Sequence, residues 1–352
     1  MEDKKLQRLK EVLLVPTYSR QEDLMIEYLE RVLTEKGYNY KKDSIGNIYV
    51  TKGKAEYFPC FVAHTDTVHS INYNLKVVQL EEEGKTILTG IDAKTMRPSG
   101  IGGDDKCGVF LCLEMLDTLD NVKVALFVSE EIGCVGSRQA DPEFFSNVGY
   151  AIQYDSPKGN SMSMTLMGKE LFVKESDFGT KVSGLILEHG IDDWARHPYT
   201  DIWPLMEKFK FSCLNLAAGY HRYHTDNEYV VVEEVQNGFE LGLKLHQELG
   251  ENFYERPEKK EKESSVFSSI FGGYNTQLIT EDDEEEDDDF YFEEEEEGDD
   301  FLYDEDDELN IISTSSSYKV GEFEDFWDYK DFNGGYSIKS YEDSNDNLDF
   351  DW

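Results

Sequence analysis

The sequence predicts a mixed α/β fold, a largely parallel central sheet with helices on both faces, followed by a disordered acidic tail. Three observations carry that reading. The runs "FPCFVAH", "VKVALFVS" and "VGYAIQYD" are apolar almost throughout and alternate with segments of helical periodicity, as strands buried on both faces of a sheet do. Ionisable residues gather where those runs end. The formal charge of −41 is concentrated at one end: residues 255–352 hold 35 acidic and 7 basic side chains, a net of −28 that leaves −13 for residues 1–254.

Along the chain, apolar residues at helical spacing (Leu6, Leu9 and Leu13, then Leu24, Ile26, Leu29 and Leu33) predict amphipathic helices over 2–14 and 20–36. The segments "YNYKKD", "GNIYVTK", "FPCFVAH", "LKVVQLE" and "TILTGI" follow, punctuated by Gly, Asn and Asp, and read as strands. A glycine-bounded turn, "GIGGDDKCG", opens the helix "VFLCLEMLDTL". Next come the strand "VKVALFVS", a short helix near 133–141 and the strand "VGYAIQYD". Beyond Asp155, "SMSMTLM" and "KELFVKE" read as strands, and 178–189 and 201–208 as helices. The strand "FSCLNLAAG", the turn "YHRYHTDNEYV" and a helix over 232–249 close the pattern, which stops near Tyr254. This sets a folded body at 1–254 and a tail at 255–352. A like-charge block such as "EDDEEEDDDFYFEEEEEGDD" self-repels and buries too little apolar surface to fold alone, so the tail is expected to be disordered.

So acidic a chain repels phosphates and anionic membrane, which excludes direct nucleic-acid and membrane partners. A basic protein is the partner such a tail could dock. The first residues lack the apolar core of a signal peptide, and no stretch approaches the ~20 apolar residues of a membrane span, so a cytoplasmic protein is expected. Cys60, Cys107, Cys112, Cys134 and Cys213 are odd in number and form no C-x-x-C pair. Free thiols in a reducing compartment fit this pattern, and a zinc–thiolate site does not.

The chemistry lies at the strand ends. His64 and Asp66 close "FPCFVA", Asp104 and Asp105 sit in the glycine turn, Glu130 and Glu131 close "VKVALFVS", Asp155 closes "VGYAIQY", and His224 follows "FSCLNLAAG". In an open α/β sheet the carboxyl ends of the strands line the ligand crevice. Acids crowded there raise one another's proton affinity, and a cation relieves them. Mixed imidazole and carboxylate donors suit zinc, manganese or cobalt, and this many donors suit two ions sharing one carboxylate.

The motifs "HTDTVH", "GIGGDDKCG", "SEEIGCVGS", "YDSP" and "YHRYHTDNEYVVVEEV", in this order, resemble those of the co-catalytic di-zinc exopeptidases, the group of peptidase T, carboxypeptidase G and bacterial leucyl aminopeptidase. The resemblance spans roughly residues 5–250. It implies that His64 and Asp155 hold one metal, Glu131 and His224 the other, and that Asp104 bridges them. It implies that Asp66 orients His64 and that Glu130 is the general base, taking a proton from the attacking water and returning it to the leaving amine. It also implies a cis peptide bond between Asp104 and Asp105. Many relatives insert a lid domain between the residues equivalent to Asp155 and His224; here these are only 69 positions apart, so that lid is expected to be absent.

The substrate expected is a short peptide, cut by an aminopeptidase-like activity. A deacylase acting on acyl-amino acids with the same metals, and a non-catalytic binding protein using its acidic tail, are the rival readings. His69 and His221 read as surface residues, Cys107 as a packed small residue. Asp201, in the polar group Arg196, His197, Tyr199 and Thr200, reads as a helix cap.

Overall fold

Four strands running the same way, side by side, set the frame on which everything else is mounted. The computed structural model describes residues 1–166, 169–196 and 200–257. Helices α1 (Asp3–Leu14) and α2 (Asp23–Glu35) come first, then β1 (Tyr40–Lys42), β2 (Ile48–Lys52), β3 (Phe58–His64), β4 (Leu75–Glu82), β5 (Lys85–Asp92) and β6 (Arg97–Pro98). They are followed by α3 (Gly103–Thr118), β7 (Val122–Phe127), α4 (Val135–Arg138), α5 (Pro142–Phe145), β8 (Val148–Ser156), β9 (Ser161–Leu166) and β10 (Lys169–Glu170). The last elements are α6 (Asp177–Glu188), β11 (Asp193–Arg196), α7 (Ile202–Lys208), β12 (Ser212–Ala217), β13 (Tyr220–His221), β14 (Tyr229–Val231) and α8 (Val232–Leu249).

Among the described residues the main sheet runs β1-β2-β7-β3-β8-β12-β9-β10, with β11 also on β9. Its centre, β7-β3-β8-β12, is parallel, and antiparallel strands flank it. Every residue of β3, β7, β8 and β12 is buried. Alternation decides which way each points. Phe61 and Ala63 of β3 join the core beneath α1, α3 and α8, whereas Cys60 and Val62 join the opposite core with Phe145, Ile202 and Leu205 from α5 and α7. Each such aliphatic or aromatic side chain contributes about 1.5–3 kcal/mol by leaving water. That is why these strands are mostly apolar before their carboxyl ends, with Lys123 near the start of β7 held by the Phe144 carbonyl and the Asn147 side chain. A smaller sheet, β13-β14-β5-β4 with β6 on β5, stands beside α3 and α8.

Helix α3 is buried on nearly every side, which explains why its sequence lacks an amphipathic stripe. It packs against β3, β8, α1 and α8. Helix α8 approaches closely because of glycine: a Cβ on Gly242 would lie 2.1 Å from the Tyr154 hydroxyl.

The structure departs from the sequence reading at the sheet edge. The strand expected over "KELFVKE" stops at Glu170, because Ser176 caps α6, accepting from the Gly179 N–H at 2.8 Å, and the chain must turn to reach it. Arg196, read as the start of a polar cluster, is the last residue of β11, a strand parallel to β9; His197 and Tyr199 of that cluster lie outside the described residues. The helix expected near 133–141 is a single turn, α4, and a second turn, α5, follows it. The "YHRYHTDNEYV" turn holds two short paired strands, β13 and β14. Between Asp155 and His224 the described residues form the central strand β12, edge strands and helices of this same body, with no separate lid. All five cysteines are free and buried, Cys107 among them. Among the described residues no helix is long and apolar enough to cross a membrane.

Contacts divide the chain after Lys262, and the described residues all lie on the N-terminal side of that division. From residue 258 onward the expected tail lies outside the described residues. Ordered pairing runs slightly past the boundary read at Tyr254. Phe211 bridges to Glu255, the Arg256 N–H donates to the Lys210 carbonyl at 2.7 Å, and the Arg256 guanidinium donates to the Met206 carbonyl at 2.9 Å. A chain ending at Pro257 is therefore expected to keep its fold. Ending it at Tyr254 removes these bonds and should lower Tm by roughly 2–6 °C in a thermal scan of the two truncated chains.

Candidate metal centre

The parallel register aligns the carboxyl ends of the central strands. His64 ends β3 opposite Phe127, the last residue of β7, and the Thr65 N–H donates to the Phe127 carbonyl at 2.8 Å. Glu130 and Glu131 lie just beyond β7, Asp155 near the end of β8, and Asp104 at the start of α3. His224 comes from the loop between β13 and β14. Five chain segments meet at one point.

Asp104 lies between the two histidines. Its Oδ1 is 3.1 Å from His64 Nε2 and its Oδ2 is 3.4 Å from His224 Nε2. His64 Nε2 is also 3.6 Å from Asp155 Oδ1, and His224 Nε2 is 3.1 Å from Glu131 Oε2. Two donor sets result, His64–Asp104–Asp155 and Asp104–Glu131–His224, in each of which the ligand atoms lie within 4.8 Å of one another. Asp104 belongs to both. Glu130 is in neither; its Oε2 is 4.0 Å from His64 Nε2. The Asp104–Asp105 peptide bond is cis.

A buried scaffold holds these groups. The His64 Nδ1–H faces Asp66, 3.1 Å from its carbonyl and 3.3 Å from its Oδ1, so Nε2 is the nitrogen aimed at the carboxylates. Asp66 also accepts from the Glu130 N–H at 2.9 Å, the Glu131 N–H at 3.3 Å and the Ser19 hydroxyl at 2.7 Å. One carboxylate thus fixes both the histidine and the paired glutamates. Asp105 accepts from the His64 N–H at 3.2 Å and the Gly108 N–H at 2.9 Å, and Gly108 must be glycine because a Cβ there would fall 2.2 Å from that carboxylate. Glu228, fully buried, accepts from the Gly102 and Asp104 N–H groups at 2.6 and 3.1 Å.

Electrostatics follow from the crowding. Burial drives the Asp155, Glu130 and Glu131 carboxyls up, and the neighbouring carboxylates, Asp104 foremost for Asp155 and Glu131, add to it. Asp104 goes the other way: burial pushes it up, but hydrogen bonds from His224 and His64 outweigh this and hold it well below the usual carboxylate range. His64 is lowered by burial and raised more by Asp104, Asp155 and Asp66; His224 is raised to about 10 by Asp104 and Glu131 against burial. The two imidazolium rings therefore supply the positive charge that the acids demand. Glu131 Oε1 is buried without any hydrogen-bond partner. An orphaned carboxylate oxygen on a residue that already meets the His224 imidazole suits a divalent cation, and the mixed nitrogen and oxygen donors suit zinc, cobalt or manganese.

Among solved structures, the chain is similar to the aminopeptidase PepT from Bacillus cereus, at 15% identity and a TM-score of 0.56, over 70% of this chain and 98% of that one. It is similar to a tripeptidase from Staphylococcus aureus at 13% identity and a TM-score of 0.55, over 68% and 96% of the two chains. It is also similar to an aminopeptidase from the archaeon Desulfurococcus kamchatkensis at 14% and 0.51, over 68% and 93%. The body has the fold of these peptidases. No protein-family model matches the chain, and no curated protein sequence matches it.

Within this peptidase fold, several working residues carry no signal in the sequence. Ser19 and Glu22 come from the α1–α2 loop: Ser19 holds Asp66, and Glu22 accepts from the Ser129 N–H and hydroxyl, both at 2.9 Å. Gln153 donates to Asp155 Oδ2 at 3.1 Å and accepts from the Thr200 hydroxyl and the Ile202 N–H. The Tyr220 hydroxyl donates to Asp155 Oδ1 at 3.3 Å. Only Gln153 had a local cue, since its position two before Asp155 puts both on one face of β8. His69 and His221 are not free surface residues: they lie 2.8 Å from Glu228 Oε2 and 2.6 Å from Glu234 Oε2. Asp201 is not a cap. Its backbone is already helical and its side chain makes no capping bond; its carboxyl is fully buried, turned into the protein near Ser137, and burial pushes it up to about 7.

Because His224 is protonated below about pH 10 in the metal-free protein and His64 is raised as well, cations entering here must displace protons. Zinc binding at pH 7 should release about two protons per chain or more, measured by titration in weakly buffered solution. Apparent zinc affinity should rise from pH 6 to pH 8 as that competition weakens. Affinity independent of pH would contradict the histidine assignment.

Proposed function

We propose that the chain is a metal-dependent exopeptidase of the aminopeptidase type that hydrolyses short peptides. The observation that carries this is the shared Asp104, flanked by His64 with Asp155 on one side and by His224 with Glu131 on the other, with Glu130 4.0 Å from His64 yet part of neither set. His64, Asp155 and Asp104 would hold one divalent cation, and His224, Glu131 and Asp104 the second. Zinc best suits the donors. Bound there, the pair would supply Lewis acidity to the scissile carbonyl and lower the pKa of a water.

The chain's own residues do the rest. Glu130, whose proton affinity is raised by burial, is suited to take a proton from the attacking water and hand it to the leaving amine. Asp66 keeps His64 in the tautomer that presents Nε2. By bonding the Glu130 and Glu131 N–H groups it also fixes the base relative to the ligands. Glu228 holds the backbone at Gly102 and Asp104, and Asp105 ties the His64 N–H to the first turn of α3 through Gly108, which fixes Asp104 relative to His64. The likeness to structures of aminopeptidases supports reaction at the amino end, as does the missing lid.

Glu130→Gln separates base from ligand. It should lower kcat by roughly 10²–10⁴-fold on free-amine dipeptides while metal content stays near two per chain by mass spectrometry of metals. Loss of a metal would make Glu130 a ligand. In the same assay the wild-type chain should cut free-amine dipeptides and spare N-acylated ones; cleavage of N-acylated substrates alone would replace the peptidase reading with the deacylase.

A further inference from the structure

Cys134 occupies a position whose backbone suits glycine. Its φ is +55° and its ψ +40°, the left-handed region that side chains disfavour, and Gly133 just before it has φ +103°. The residue stands where the chain turns back from Glu130 into α4, with its own N–H donating to the Glu130 carbonyl at 2.8 Å. A side chain kept at such a point needs a reason of its own. The turn aims Sγ back at the glutamate: Cys134 Sγ lies 3.3 Å from Glu130 Oε1.

We propose that Cys134 is a positioning residue for Glu130, its S–H donating to Oε1 so that Oε2 is the oxygen left to face the metal ligands. Among the described residues this thiol is the hydrogen-bond donor to that carboxylate, and Oε2 is the oxygen 4.0 Å from His64 Nε2. The thiol stays a donor because burial, and then the charges of Glu130 and Asp201, push its proton affinity far up. Asp201, fully buried, adds to this field and makes loss of the thiol proton still less favourable. Nucleophilic or redox chemistry at Cys134 is disfavoured for the same reason. The inference rests on the reading of Glu130 as the base, but the contact itself is a property of the metal-free chain.

Two readouts keep these apart. In the infrared S–H stretching region, the wild-type minus Cys134→Ala difference isolates one of the five thiols; it should lie below the frequency of a free thiol and shift in Glu130→Gln, with no metal present. In the zinc-loaded chain, Cys134→Ala should lower kcat roughly 10-fold with KM and metal content unchanged, and Cys134→Ser, which keeps a donor, should restore most of it. Cys134→Gly relaxes the left-handed backbone, so it should fold at least as well as the alanine variant and lose the same activity. An S–H band indifferent to Glu130→Gln, or wild-type kcat in Cys134→Ala and Cys134→Gly, overturns the proposal. A shifted band in a chain that hydrolyses no peptide leaves the contact standing and overturns the function.

Discussion

Five ionisable side chains, His64, Asp104, Glu131, Asp155 and His224, converge where three buried strands end, one buried helix begins and the β13–β14 loop passes, and negative charge removed from water at that density is tolerable only if positive charge is placed among it. In the metal-free chain the histidines carry it, which is why His224 is pushed to about 10 while Asp104 between the rings is pulled down. The same arrangement with the imidazole protons removed offers two donor sets that could each hold a cation and that share one carboxylate. Sheet geometry explains the convergence, because parallel strands deliver their carboxyl ends to one edge and the buried faces of β3, β7 and β8 are otherwise mostly apolar.

The centre holds its shape through hydrogen bonds made by residues that are themselves buried. Asp66 is the densest node, joined to His64, Ser19 and the backbone of both glutamates. Its loss would strand several donors at once, each costing about 1–3 kcal/mol, so the arrangement is expected to fail as a unit. The α1–α2 loop is tied to the same node: the Thr17 hydroxyl donates to the Thr65 carbonyl at 2.7 Å and the Ser19 N–H to the Thr67 carbonyl at 3.3 Å. The N-terminal helices therefore bear on the chemistry although they supply no ligand.

The central strands and the long helices were legible in the sequence because their cause is local: a fully apolar run, or an apolar stripe at helical spacing. That His64, Glu131 and Asp155 would gather was legible for a related reason, since a charged residue at the end of a buried strand stands out. The edge was harder. Asp193–Arg196 forms a strand only because β9 lies beside it, and "KELFVKE" breaks off because Ser176 must cap the next helix. The supporting shell was hardest. Ser19, Glu22, Gln153 and Glu228 look like ordinary polar residues, and their roles arise from contacts up to 126 positions apart in the chain. Asp201 misled because an aspartate before a helix ordinarily caps it, whereas here its side chain is turned into the protein.

The central claim is that Asp104 is shared by two cations. It is tested most directly by crystals of the full chain grown with zinc and measured on either side of the zinc absorption edge. Two anomalous peaks about 3.5–4 Å apart are expected, one against His64 and Asp155, the other against Glu131 and His224, with an Asp104 oxygen on each and Glu130 on neither. A single peak, or a peak liganded by Glu130, would contradict the account.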